Sequence, residues 1–524
     1  MHGYPMPARV ALSLLLCALL NSPTFGQSSD AGTRAESTTE ASQAATVRNE
    51  VEELRAMVQE LRQENESSRE EMKELREQLE KTQVTLERIT TVLGSQQPAY
   101  SESTPPAAQA QTPSSPLETR LEKVEESQAL LTDKVNQQYQ TKVEAASKYR
   151  MRLSGIVLMN AFQNHGTSDN FDYPDFAIPA EGAPASGFGA TLRQSEIGLE
   201  VFGPALLGAK TSGSVQFDFA GGFPATPNGV TFGVARMKTA TIRFDWENTS
   251  VIAGQDSLFI SPRSPTSFAS LATPSFAYAG NLWGWIPQLR VEHHFVIDEN
   301  QKLTLQAGIL DNLTWELPSD PFYRYATAGE QSGQPAYAAR TAWSRDISGR
   351  AMTFGAAGYY GRQNWTSGRY VDGWAGMGDW DIPLPKNLSL SGEFYRGRGA
   401  GGLGAAIGQT VVYGSSPLYS TAPIRGLDSA GGWTQLKWQI TPKLEVNGVI
   451  AEDDVFSRDV IGFATDQNNF GTILGRNRGA SANVIVRPRS DLILAAELRR
   501  LHTYPFYQAS SVTNQLNLAV GVLF

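Results

Sequence analysis

The hydrophobic pattern of this chain changes period once. From Val47 to Leu93 apolar residues recur every three and four positions, and after Tyr149 they recur every second position. The first period predicts a coiled coil. Val51, Val58, Asn65, Met72, Leu79, Leu86 and Leu93 take the a positions, and Val47, Leu54, Leu61, Ser68, Leu75, Thr82 and Ile89 take the d positions. Arg48, Arg55, Arg62, Arg69 and Arg76 fall at e, and Glu50, Glu64 and Glu71 at g. In a parallel coil those charges pair between identical chains. Asn65 in the seam costs stability and fixes the register. A Pro/Ser/Gln-rich linker covers 94–116. A second short coil follows over 117–148, with Leu117, Leu121, Val124, Leu131 and Val135 in its seam. Its segment Arg120-Leu121-Glu122-Lys123-Val124-Glu125 resembles a pattern found in parallel trimers, so a homotrimer is expected.

The second period predicts strands. Val215 and Phe217 alternate with Gln216 and Asp218, Leu289 and Val291 with Arg290 and Glu292, Leu436 and Trp438 with Gln435 and Lys437, and Leu494 and Leu498 with Glu497 and Arg499. Short turns are expected at 203–208, 247–250, 298–301, 346–350, 383–387, 441–443 and 487–491. Longer loops are expected near 165–189, 221–229, 261–285, 316–335, 365–369, 400–431, 456–475 and 505–512. Seven turns and eight loops separate sixteen strands. The final stretch puts Leu516, Leu518, Val520, Val522 and Phe524 on one face, a pattern that resembles the closing strand and assembly signal of bacterial outer-membrane barrels. The expected fold is an all-β transmembrane barrel of about sixteen antiparallel strands over 149–524, preceded by an α-helical coiled coil. Arg193, Arg236 and Lys238 fall out of phase with their apolar neighbours, which predicts bulges or protomer contacts there.

Composition narrows the choice. The 524 residues include Gly 48, Phe 23, Tyr 17 and Trp 10, with 19% charged, so the chain is aromatic and glycine-rich without a long apolar run after its start. A closed barrel is then the one way for it to cross a bilayer. Residues 1–26 read as a signal peptide, with Arg9 ahead of the apolar run Val10 to Leu20. Residues 27–46 read as a disordered segment. Cys17 lies within the signal, so no disulfide is expected. Residues 1–149 carry 15 basic against 22 acidic side chains, and 150–524 carry 29 against 31. Nothing in that balance suits a nucleic acid. An even strand count leaves both barrel ends and the coil in the periplasm.

A sixteen-stranded barrel with a polar interior holds a water-filled channel. The third long connection, Ser261 to Trp285, is expected to narrow it. Between Asp256 and Glu292 the only charges are Arg263 and Arg290, accompanied by hydroxyls that include Ser264 and Ser267. A constriction bearing only positive charge favours anions, and arginine can hold a carboxylate through two bonds. Arg243, Arg340, Lys437 and Arg499 are further lumen candidates; Glu292, Glu393, Asp218 and Glu497 could pair with these cations and cancel them. Phe276, Tyr278, Trp283 and Trp285 form a greasy flank for an aromatic or aliphatic solute, an aromatic girdle or the core of the loop. The run Glu452-Asp453-Asp454 with Asp459 offers carboxylates for a divalent cation at the cell surface but lacks the order of a calcium loop, so the expected reading has no metal and no cofactor. His165, His293, His294 and His502 sit in no recognisable nucleophile context, which argues against an enzyme.

Leu192-Arg193-Gln194-Ser195-Glu196-Ile197-Gly198-Leu199 resembles the RQSRLGF-type second strand of DcaP-like outer-membrane porins. Val251-Ile252-Ala253-Gly254-Gln255 resembles their fifth strand, and Pro287-Gln288-Leu289-Arg290 the start of their sixth. The resemblance covers the whole mature chain. Glu196 departs from it, standing where arginine is expected, and leaves the lumen role of that position in doubt. The resemblance implies a trimeric channel for small anionic nutrients such as dicarboxylates. The expected function is thus passive diffusion of small hydrophilic solutes with weak anion preference. The expected partners are outer-membrane lipid, the barrel-assembly machinery through the strand ending in Phe524, and the cell wall as a candidate for the coil. The alternative is a structural anchor or cell-wall tether with a plugged barrel. A trimeric adhesin is disfavoured, because such proteins contribute few strands per chain.

Overall fold

The computed structural model describes residues 150–524 apart from 181, 183–185, 224–232, 315, 317–322, 366–367 and 470. The expected signal segment, both coiled coils with Asn65, and the linker lie outside the described residues.

One antiparallel sheet closes on itself. Its strands are β1 (Arg150–His165), β2 in two segments (Ser186–Thr191 and Glu196–Phe202), β3 (Lys210–Asp218), β4 (Arg236–Asp245), β5 (Thr249–Ser257), β6 (Trp285–Asp298), β7 (Gln301–Leu310) and β8 (Ala336–Ile347). They continue as β9 (Arg350–Asn364), β10 (Tyr370–Leu384), β11 (Leu388–Arg398), β12 (Asp428–Thr441), β13 (Leu444–Val455), β14 (Leu474–Arg489), β15 (Leu492–Pro505) and β16 (Ser511–Leu523). Each pairs with its chain neighbour. Closure comes from β16 pairing with β1, Ile156 opposite Leu523 through to His165 opposite Asn514. Both segments of β2 pair with β1, so the wall counts sixteen strands, as the alternation predicts. Among the described residues the wall itself has no edge to expose unpaired backbone groups, which is the condition for crossing a bilayer with strands.

The face assignment read from the alternation holds. Leu498 is 62% exposed on the outside, while Glu497 and Arg499 beside it are each 3% exposed and point inward. Leu289, Val291, Leu436, Trp438, Leu518, Val520 and Val522 share the outer face. Phe524 extends the closing ladder by one pair, its N–H and C=O both bonded to Gly155. A Cβ on Gly155 would sit 2.6 Å from the Phe524 ring and 2.4 Å from the Glu196 carbonyl, so glycine is what admits the ring there.

The two out-of-phase strands have separate causes. In β4, Gln216 pairs with Thr239 but Phe217 with Met237, which leaves Lys238 as an extra residue turned inward. In β2 the ladder breaks at Leu192 to Ser195, where Ser195 N–H turns back to Leu192 O and the Ser195 hydroxyl accepts from Leu158 N–H at 3.0 Å. Arg193 and Gln194 point inward from that break, 5% and 0% exposed.

Candidate functional site

The connection from β5 to β6, residues 258–284, folds into the barrel and runs around its inner wall. Wall side chains mark its path. Ser261 Oγ and Arg263 N–H donate to Glu393 on β11. Thr266 N–H donates to Gln435 on β12 at 2.6 Å, and Asn483 on β14 donates to Thr266 O at 2.8 Å. Ser267 Oγ donates to Glu497 on β15 at 2.6 Å, and Asn160 on β1 donates to Phe268 O at 2.8 Å. Gln194 then takes three backbone groups: its Nε2 donates to Ala269 O at 3.1 Å, and its Oε1 accepts from Leu271 N–H at 2.7 Å and Ala272 N–H at 3.2 Å. Lys238 and Arg236 on β4 donate to Leu271 O and Ala272 O. The belt then doubles back past Arg499, which donates to Ser275 Oγ, and Asn477, which donates to Tyr278 O. A buried loop carries backbone groups that must find partners, and here the inward amides and carboxylates of successive strands supply them.

The inward faces of β5 to β10 carry a continuous charge ladder. Arg290 lies 2.8 Å from Asp256 and 2.8 Å from Glu292; Glu292 also accepts from Gln306 at 2.9 Å. Gln306 Oε1 accepts from Arg340 at 3.0 Å. Arg340 holds Asp379 through two bonds of 2.9 and 3.0 Å, and Arg263 reaches Asp379 at 3.2 Å and Asp381 at 2.8 Å. Arg340 and Asp379 meet across β9 because Gly355 stands between them. A Cβ there would fall 2.0 Å from Asp379 Oδ2 and 2.6 Å from Arg340 Nη2.

The predicted cations thus all lie inside, and each meets a carboxylate. Arg263 and Arg290 are on the ladder with Arg340. Arg499 is held by Glu497 at 2.8 Å, Arg243 by Asp245 at 2.9 Å near the turns, and Lys437 lies 3.6 Å from Glu445. Glu292 and Glu497 pair as anticipated, whereas Glu393 receives the belt and Asp218 receives Arg236 at 2.6 Å. Ser264 Oγ accepts from Asn281, and Ser267 bridges Glu497 and Arg499. Glu196, the departure from the family pattern, accepts Lys238 from the bulge. A carboxylate at that position therefore has its own cation. Phe276 is fully buried, and Tyr278 and Trp283 of the belt form a run of edge-to-face contacts at 5.8 and 5.3 Å with Trp285 at the start of β6.

Sequence reasoning missed the neutral wall residues that seat the belt: Asn160, Gln194, Gln435, Asn477 and Asn483. Their signal was present as Asn or Gln at inward positions of alternating strands. The acidic run divides by phase, with Asp453 inside accepting the Tyr395 hydroxyl at 2.7 Å while Glu452 and Asp454 face outward to Arg478 and Arg476. Among the described residues no group of three or more His, Cys, Asp and Glu side chains is placed to hold a metal.

Two other loops reach inward. In the connection after β1, Asp169 accepts from Asp175 and Phe176 N–H, and Thr273 of the belt donates to Asp175 at 3.0 Å. Burial, followed by the charge of Asp169, pushes the Asp175 carboxyl well above the ordinary carboxylate range; burial also raises Asp169. In the connection after β11, Gly401 to Ile407 are buried, with Leu403 O accepting from Trp283 N–H of the belt. Ala406 and Ile407 adopt left-handed backbone (φ 52° and 56°), which directs the Ala406 N–H to Tyr395 Oη and the Ile407 N–H to Asp453.

Sixteen antiparallel strands, a closed wall with an apolar outside, and a loop folded into a charged interior define an outer-membrane porin fold. At the level of sequence, neither the known family profiles nor the curated proteins yield a match. Among solved structures the chain is similar to the outer-membrane channel DcaP of Acinetobacter baumannii. They are 17% identical, with 72% of this chain and 99% of that one covered and a TM-score of 0.53. It is also similar to an anion-selective porin from Comamonas acidovorans (11% identity, 72% and 100% covered, TM-score 0.43) and to Pseudomonas putida OprB (12%, 71% and 94%, TM-score 0.42). The fold is DcaP-like, as the strand motifs of the sequence indicate.

Proposed function

We propose that the protein is an outer-membrane porin for passive diffusion of small hydrophilic solutes, with weak preference for anions. The observation that supports the channel is the belt itself. It takes its polar partners from β10 to β12, β14, β15, β1, β2 and β4, while the charge ladder lines β5 to β10. A lumen lined by alternating charges and amides is wet, and solutes cross it by exchanging hydrogen bonds rather than by shedding them. Arg263 is the ladder's ligand for anions: it is one of two guanidinium groups on Asp379, and its second partner, Asp381, is 38% exposed and replaceable by a solute carboxylate. The heptads at 47–93 and 117–148 support a trimer registered by Asn65, with the coil in the periplasm.

Reversal potentials of purified protein in a KCl gradient test the selectivity. Wild type favours chloride modestly, and Arg263→Glu with Arg290→Glu moves the potential toward potassium. A cation-selective wild type, as the acidic partners of the ladder would by themselves produce, refutes the assignment. The buried segment Gly401 to Ile407 favours the plugged-anchor reading, which requires a silent bilayer trace.

A further inference from the structure

On the outer surface of β12 to β15 the lipid-facing stripe is interrupted. Gly448, Ala480 and Ala482 are small and exposed, and Leu436, Ile450 and Leu498 stand beside them. Together they form an apolar groove of about 610 Å³. The groove ends at Arg500, which lines it, is exposed, and makes no hydrogen bond or ion pair among the described residues. Strand register fixes what lies beyond it toward the loop end. Arg500 is opposite Ala480, the next outward row holds Glu452, Arg478 and His502, and the row after that Asp454, Arg476 and Tyr504. Arg478 binds Glu452 at 3.0 Å and Arg476 binds Asp454 at 2.9 Å, so those pairs cancel and Arg500 carries the local excess charge.

A cation without a counterion at the boundary between an apolar groove and a polar rim matches an amphiphile with an anionic head. The match is dimensional as well as electrical. Two outward residues along a strand span about 7 Å, so a head held by Arg500 leaves its chain lying along Ala480 and Ala482 toward the midplane. We propose that this face is a binding site for one phosphorylated, acylated lipid of the outer leaflet. The phosphate sits on Arg500, and one acyl chain fills the groove. A point charge in the interfacial zone attracts such a head, and each buried methylene adds to the hold. The inference needs the transmembrane barrel and is independent of what the channel conducts.

Native mass spectrometry of the full detergent-purified protein tests it, with bis-phosphorylated lipid A as probe. A zwitterionic diacyl phospholipid and inorganic phosphate serve as comparison arms. The expected result is one lipid A retained per chain, with at least tenfold weaker retention for Arg500→Glu and for Ala480→Leu, which fills the groove. Ala482→Leu repeats the groove test should Ala480→Leu not assemble, and heat-modifiable migration on gels certifies the folded barrel. Unchanged retention in Arg500→Glu, or equal retention of the zwitterionic lipid, overturns the headgroup assignment. Equal stabilisation by inorganic phosphate overturns the acyl component, and loss of oligomer with Ala480→Leu shows that a second copy occupies the groove instead.

Discussion

Replacing Gln194 by alanine removes one side chain and leaves three belt groups without partners: the N–H groups of Leu271 and Ala272 and the carbonyl of Ala269. Gln194 is 0% exposed, so water does not already share those bonds. An unsatisfied buried backbone group costs about 1–3 kcal/mol. At the lower figure, ~1 kcal/mol for each of three groups, the loss is ~3 kcal/mol in all. At 1.4 kcal/mol per factor of ten, local release of the belt becomes on the order of a hundred times more frequent. Hydrogen exchange followed by mass spectrometry should show that loss of protection at Leu271 and Ala272, with the β12 and β14 amides unchanged. Gln435→Ala should instead expose Thr266, whose N–H it accepts. Equal loss across the whole barrel, or no change at Leu271, would refute the idea that single wall amides seat the belt segment by segment.

Two further outcomes follow from the geometry. Gly355→Ala puts a methyl group 2.0 Å from Asp379 Oδ2 and forces Asp379 and Arg340 apart; overpacking of this kind costs about 1–3 kcal/mol, and freeing the guanidinium should shift the reversal potential toward anions, a shift absent if the pair merely re-forms elsewhere. Asp175 has a folded-state pKa above its ordinary 3.8, so docking of its loop is fully stabilised below that value and weakens as pH rises through the raised one; Asp175→Asn should reduce the pH dependence of exchange protection at Ala177, whose N–H donates to Thr503 Oγ1, leaving the part due to Asp169, which burial also raises, and a variant whose pH response is unchanged refutes the assignment.

The strands were legible because their evidence is local. Alternation at residues such as Leu494 to Arg499, and turns such as Asp298 to Gln301, depend on a few consecutive side chains. The inward direction of Arg290, Arg340 and Arg499 followed from the same phase. Their neutralisation did not. The loop from Ser261 to Trp285 contains no acid of its own, yet Asp379, Asp381, Glu393 and Glu497 arrive from strands more than a hundred residues later, placed by barrel closure rather than by sequence proximity. The Glu196–Lys238 pair was obscured in a second way, because the bulge in β4 shifts the phase by which a lumen residue is recognised. The seat of the belt was hidden in plain composition: an asparagine at an inward position looks the same whether it faces water or a loop backbone.

Surface connections usually accept an inserted or deleted residue with little consequence. The belt will not. Its backbone meets fixed wall side chains at Thr266, Phe268, Ala269, Leu271 and Ala272 in order, so one added residue before Thr266 would advance every later contact out of step, much as a slipped tooth misaligns a zipper. Length in this segment is therefore dictated by the circumference it must cover, and channels with differently sized walls would need belts of different length. Side chains on its free edge face no such restriction, which separates the part of the loop that measures the frame from the part that can vary with the cargo.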